Sequence, residues 1–283
     1  MKREESEDVK KLRLEMEYRN YSLNSVKTYC DLMSFLEFSL SKKLEEITIE
    51  DLKGFLHVAL VKHQRSTSYI NQNISAYKIF VQDVLKREWE GIKVKRPRRE
   101  KKLPVVLSIN EVERMITSTR NLKHRVMLML MYSAGLRRTE LLQMKPSAID
   151  SSRMLIHVSQ GKGKKDRYSI LSQKTLELLR QYYSLERPKH YLFEPNGNPG
   201  QMLSDRTIDA IVRKSAIRAG ITKNVSCHTL RHSFATHLLE TGVNIKIIQQ
   251  FLGHTSLRTT SIYLHLTNIN LGSVKSPLED MNV

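Results

Sequence analysis

Over the first ninety residues apolar side chains recur in steps of three and four, as at Val26, Tyr29, Met33 and Leu36, which places them on one helical face. Thr48 opens Thr-Ile-Glu-Asp, a capping-box pattern, so the helix after it should turn Leu52, Phe55, Leu56 and Ala59 inward. Ser66 reads as another N-cap. Together these blocks predict a four-helix domain over residues 1–92. The periodicity stops from 93 to 104, where Pro97 and Pro104 stand among basic residues, and this stretch reads as a linker. Ser108, with Glu111 three residues on, restarts the helical pattern and leads to an apolar helix over Val126 to Tyr132. Two β-prone runs, Met154 to Ser159 and Arg167 to Leu171, flank Gln160-Gly-Lys-Gly-Lys-Lys-Asp and predict a hairpin with a glycine-containing turn. Beyond it the pattern is helical almost throughout. The expected fold is mainly α with a small antiparallel β-sheet in a second domain, residues 105–267, followed by a tail, 268–283.

Charge changes the picture most. Lys and Arg number 47 against 29 Asp and Glu, a formal net charge of +18, so the expected partner is a polyanion. A membrane surface is the competing partner for a basic protein. The longest apolar stretch, Val126 to Tyr132, is far below the roughly 20 residues of a membrane span, and the first residues lack a signal peptide's apolar core. A nucleic acid met in the cytosol is the expectation. In the linker Lys93, Lys95, Arg96, Arg98, Arg99, Lys101 and Lys102 are candidate phosphate contacts, although plain solvation would favour the same charge run. Cys30 and Cys227 are far apart and lack metal-ligand spacing, so both read as reduced thiols.

Candidate chemistry gathers in the second domain. Arg137 and Glu140 lie in Ala134-Gly-Leu-Arg-Arg-Thr-Glu, Lys162 in the hairpin, and His228 and Arg231 in His228-Thr-Leu-Arg-His. His254 follows Gly253, and Tyr263 comes nine residues later. Two guanidiniums, Arg137 and Arg231, offset the charge that non-bridging oxygens gain when a phosphodiester is attacked. His228 and Arg231 are three apart, so both address one face of a helix. His232 makes a second histidine at i+4, but the stretch lacks the Glu of a zinc-protease helix, so no metal is expected. A phenol is a weak nucleophile at neutral pH and needs cations beside it, which the upstream Arg and His residues supply.

In this order and spacing the segments resemble the signature of the tyrosine recombinase, or phage integrase, family, and Leu230-Arg-His-Ser-Phe-Ala-Thr-His-Leu-Leu-Glu is similar to its Xer-like branch. The resemblance covers Leu107 to His265 and extends more weakly over the N-terminal helices, which look like the family's core-binding, SAM-like domain. It implies a two-domain C-shaped clamp and a site-specific recombinase that cuts and rejoins DNA through a 3′-phosphotyrosyl link at Tyr263 and a Holliday junction. Integration, excision and dimer resolution all use this chemistry. It also implies that His228 acts as base or hydrogen-bond donor, that Lys162 is the general acid, that His254 bonds a non-bridging oxygen and that Glu140 supports the site. Lys164 and Lys165 become phosphate contacts. His232 receives no catalytic part and is expected to be a packed histidine or one supporting the site from behind. No cofactor is implied, because one phosphodiester is exchanged for a phosphotyrosine and then for another phosphodiester. The family acts as a tetramer on DNA, and the tail, with Leu271, Val274, Leu278 and Met281, either docks on a neighbouring subunit or is disordered. A type IB-like topoisomerase and a catalytically silent DNA-binding accessory protein remain alternatives.

Overall fold

Serine and threonine hydroxyls start most of the helices. In the computed structural model, which describes residues 5–89, 96–97, 103–159 and 166–266, the chain divides into two compact units, Met1–Lys101 and Lys102–Val283. The first holds α1 (Glu7–Tyr18), α2 (Leu23–Leu40), α3 (Ile49–Val61) and α4 (Thr67–Ile79), with a π-helical turn over Phe80–Val84. Ser6, Ser22, Thr48 and Ser66 accept backbone N–H groups at the four starts, each satisfying a donor that has no partner within its helix. Thr48 and Asp51 form the anticipated reciprocal cap. Val26, Met33 and Leu36 of α2 are fully buried against Leu52, Leu56 and Ala59 of α3, while Tyr29 and Phe55 are half-buried at the rim of that core.

The second unit runs α5 (Ile109–Thr117), α6 (Leu122–Ser133), α7 (Arg138–Leu142), strands β1 (Ile149–Asp150), β2 (Leu155–Val158) and β3 (Arg167–Ile170), then α8 (Gln173–Glu186), α9 (Asp205–Arg218), α10 (Cys227–Glu240), α11 (Ile245–Leu252) and α12 (Leu257–Thr260). A 3₁₀ turn over Ser261–His265 carries Tyr263. The sheet is antiparallel in the order β1-β2-β3, with Ile156 opposite Ser169 and Val158 opposite Arg167. Sequence reading anticipates β2 and β3 but not β1, a two-residue strand too short to show alternation. The apolar helix is α6. Its Val126, Met127, Leu128, Leu130 and Met131 are all buried, more than one face, because α8 and α10 pack around it.

Two details fix α10 in place. Ser233 Oγ accepts the Leu107 N–H at 2.9 Å and donates to Thr229 O, which ties the start of the unit to this helix. Gly135, between α6 and α7, has φ +59°, and a Cβ there would fall 2.4 Å from the Phe234 ring. Gly135→Ala therefore suffers both a left-handed backbone penalty and overpacking against a buried ring, and should cost more than about 2 kcal/mol. Gly220→Ala, at φ +68° with open space around it, should cost about 1 kcal/mol. Urea denaturation of both variants checks the difference, and equal losses would mean that the Phe234 contact is irrelevant.

Candidate active site

Arg137 is the N-cap residue of α7 rather than a residue within it, and Glu140 is the third residue of that helix. The Glu140 carboxylate accepts the Arg137 backbone N–H at 2.7 Å and Arg137 Nη1 at 2.6 Å. Its Oε2 also takes Arg167 Nη2 at 2.9 Å and lies 3.8 Å from Arg231 Nη1. One carboxylate thus holds three guanidiniums, all largely withdrawn from solvent: the side chains are 16% exposed at Arg137, 8% at Arg167, and 4% at Arg231 and Glu140. Despite its burial, Glu140 has its pKa lowered, because Arg167, the Arg137 backbone N–H and the other two guanidiniums outweigh desolvation. Arg231 is lowered by burial and then by Arg137.

Arg231, on α10, spans the site. Its Nη1 donates to Gly135 O at 2.6 Å, and its Nη2 donates to Leu252 O and approaches His254 Nε2 at 3.2 Å. Leu252 ends α11, Gly253 caps it at φ +60°, and His254 follows, so a helix C-terminus presents carbonyls to the arginines. Arg137 Nη2 donates to Gly253 O at 3.3 Å. A Cβ at Gly253 would meet Arg167 Cδ at 2.6 Å, so the residue before His254 has no room for a side chain. His254 Nδ1 pairs with Thr260 Oγ1 at 3.0 Å, and burial, then Arg231, pushes this ring down to about 4. A cleft of about 730 Å³ opens beside the cluster, lined in part by Arg137, Arg167, Lys246 and His254.

Tyr263 is buried, 1% exposed, among Phe234, Ala235, Ile248 and Leu252. Its hydroxyl lies 3.0 Å from His232 Nδ1. Burial raises the phenol's pKa, and the charges of Arg231 and Arg137 pull against that rise. His228, one turn before His232, is exposed, with its ring centroid 6.3 Å from that of His232.

The structure therefore brings Arg137, Glu140, Arg231, His254 and Tyr263 together, with His228 at the edge. Lys162, Lys164, Lys165, Lys93, Lys95, Arg98, Arg99, Lys101, Lys102 and the tail from 268 lie outside the described residues. Arg96, the described basic residue of the linker, donates to Asn71 O, Asn71 Oδ1 and Ser75 Oγ of α4. Two residues of the cluster escape the sequence reading. Arg167 looks like one more charge at the end of a basic hairpin, and only its alternation with the buried Ser169 hints that it faces inward. His232, expected to play no catalytic part, contacts the phenol itself; its i+4 step from His228 was the available signal. Arg138, to which the sequence reading gives no role, pairs with Asp205 and Asp209 of α9. Glu140→Gln leaves three like charges buried without their counter-charge and should lower stability by about 3–5 kcal/mol. Adding Arg167→Met should recover part of the loss; urea titration of both variants measures this, and an unchanged midpoint for Glu140→Gln would contradict the ion-pair account.

Residues 106–269 match the model of the phage integrase family, and residues 9–91 match that of the phage integrase N-terminal SAM-like domain. The chain is 36% identical over 266 residues to a putative integrase/recombinase of Sinorhizobium fredii, covering 94% of this chain and 86% of that one. It is 35% identical to the tyrosine recombinase XerA of Pyrococcus horikoshii, over 90% and 88% of the two chains. In fold it is similar to the XerH site-specific recombinase bound to its difH substrate before cleavage, with a TM-score of 0.69 at 22% identity over 92% and 82% of the chains. A SAM-like helical unit, a mainly helical unit with a three-stranded antiparallel sheet, and these relatives lead to one conclusion: the chain belongs to the phage integrase family, in the Xer-like branch of the tyrosine recombinases.

Proposed function

We propose that Tyr263 is the nucleophile of this DNA strand-cleaving and strand-rejoining enzyme, and that Arg137 and Arg231 hold the scissile phosphate. The observation that carries the reading is the placement of those two guanidiniums on opposite oxygens of Glu140, in the same buried cluster whose charge acts on the Tyr263 phenol. Three guanidiniums against one carboxylate leave the cluster positively charged, and in a desolvated site such charge stabilises the pentavalent transition state strongly. Glu140 and the carbonyls of Gly135, Leu252 and Gly253 fix the guanidiniums before the phosphate arrives, so little reorganisation remains at the moment of reaction.

In this reading the Tyr263 oxygen bonds to phosphorus as the bond to the 5′ oxygen breaks, and Lys162 supplies the proton that the 5′ oxygen takes. His228 donates to a non-bridging oxygen, and His254 does so once the phosphate draws Arg231 Nη2 away from its Nε2 and Nδ1 accepts from the Thr260 hydroxyl. A 5′ hydroxyl of the partner duplex then attacks the phosphotyrosine and releases the phenol. Phosphate-bond energy is conserved through both steps. Lys164, Lys165 and the linker cations track the backbone of double-stranded DNA carrying specific sites, and a tetramer passing through a Holliday junction is the assembly that family membership suggests. Acting on chromosomal or mobile DNA would put the protein at the nucleoid; among the described residues no helix is long and apolar enough to cross a membrane. The topoisomerase and accessory-protein alternatives gain no support from the relatives, which are recombinases.

Tyr263→Phe should bind DNA and form no covalent adduct, whereas the wild-type chain expressed in cells should yield protein-linked DNA whose sequence reveals the target site. Denaturing gels read the adduct, and an adduct persisting in the Phe variant would move the nucleophile elsewhere. Binding should weaken with salt at a slope near −0.9 per phosphate neutralised, measured by fluorescence anisotropy on a duplex of that site. A flat response would remove the basic linker and hairpin from the interface.

A further inference from the structure

We propose that His232 accepts the phenolic proton of Tyr263 as that oxygen attacks phosphorus, which makes it a catalytic residue; this rests on Tyr263 being the nucleophile. The geometry carries the assignment. His232 Nδ1 is 3.0 Å from the Tyr263 hydroxyl, with ring centroids 5.7 Å apart and planes at 52°. Tyr263 is 1% exposed, so bulk water is poorly placed to take its proton, and an acceptor within hydrogen-bond reach is what a buried phenol needs. His232 follows Arg231 directly on α10, so the helix that holds a phosphate-binding guanidinium also fixes the base. His228, exposed and one turn earlier, remains free to face the substrate.

The titratable and charged groups acting around the ring are His228 and Arg231 on its own helix, Tyr263 on the 3₁₀ turn and His254 after α11. Burial first, then His228 and Arg231, pushes His232 down to about 4, so it is neutral and able to accept a proton at physiological pH. Without DNA the proton stays on the phenol, whose own pKa burial raises. An incoming phosphodiester anion offsets the positive charge of Arg231 acting on the imidazole and raises its proton affinity. Proton transfer is thereby favoured when the substrate is in place. The phenolic proton moves to Nδ1, the Tyr263 oxygen bonds to phosphorus, and the 5′ oxygen leaves with a proton from the acid. When a 5′ hydroxyl reverses the step, His232 returns its proton to the departing phenolate.

The test is single-turnover cleavage of a nicked duplex carrying the site identified from trapped DNA, followed against pH for the full-length wild type, His232→Asn and His232→Ala. The Asn amide keeps a polar atom near the place of Nδ1 but cannot take a proton. It should bind the duplex with wild-type affinity yet form adduct about 10²- to 10⁴-fold more slowly at neutral pH. Its rate should climb with pH, as solvent must remove the proton, where the wild-type rate levels off, and added imidazole should restore part of the Ala variant's rate. A His232→Asn enzyme that cleaves near the wild-type rate with a parallel pH profile overturns the proposal while leaving Tyr263 as nucleophile. A wild type without adduct, or a Tyr263→Phe variant with one, overturns both.

Discussion

Everything at the site depends on one buried carboxylate. Three guanidiniums within reach of each other repel strongly where water cannot screen them, and Glu140 makes that arrangement tolerable. It does so from a short helix, with its backbone fixed by the cap at Arg137, so the counter-charge and one of the charges it balances are three residues apart. The other two arrive from a strand and from a later helix. Charge balance is incomplete by design of the sequence, and the residual positive potential is what a phosphodiester would meet.

The carbonyl ends of the chain segments around the cluster complete the restraint. Gly135 and Gly253 both take left-handed backbone conformations, and both lie against side chains that leave no space for a Cβ. Their carbonyls, with that of Leu252, receive guanidinium donors. The glycines therefore serve the arginines twice, by bringing a carbonyl within hydrogen-bonding distance and by letting Phe234 and Arg167 close over the same spot.

The Tyr263 phenol obeys a different constraint. A phenol enclosed by Phe234, Ile248 and Leu252 is protected from solvent, and protection keeps it protonated. Arg231 and Arg137 oppose that tendency without removing it. Without DNA the phenol is paired with a neutral imidazole, and an anion added to the cluster would change the charge that both rings feel.

Much of this was legible in the order of residues. Caps at Thr48, Ser66 and Ser108, the three- and four-residue apolar steps and the two β-prone runs that pair as β2 and β3 are local signals, and local backbone preferences acted on them as expected; the glycine turn between those strands lies outside the described residues. Arg137, Arg231, His254 and Tyr263 were singled out by the resemblance that their segments carry, and the fold sets them side by side. Arg167 and His232 were not, because a side chain's direction depends on which neighbours bury it: Arg167 turns inward only because Glu140 and Gly253 lie there, and His232 meets the phenol only because the chain after α12 folds back onto α10. The sequence alone determined most of the elements, though not β1, and the kind of chemistry; tertiary packing decided which charges share a carboxylate and which histidine touches the hydroxyl, since those distances exist only once remote segments are brought together.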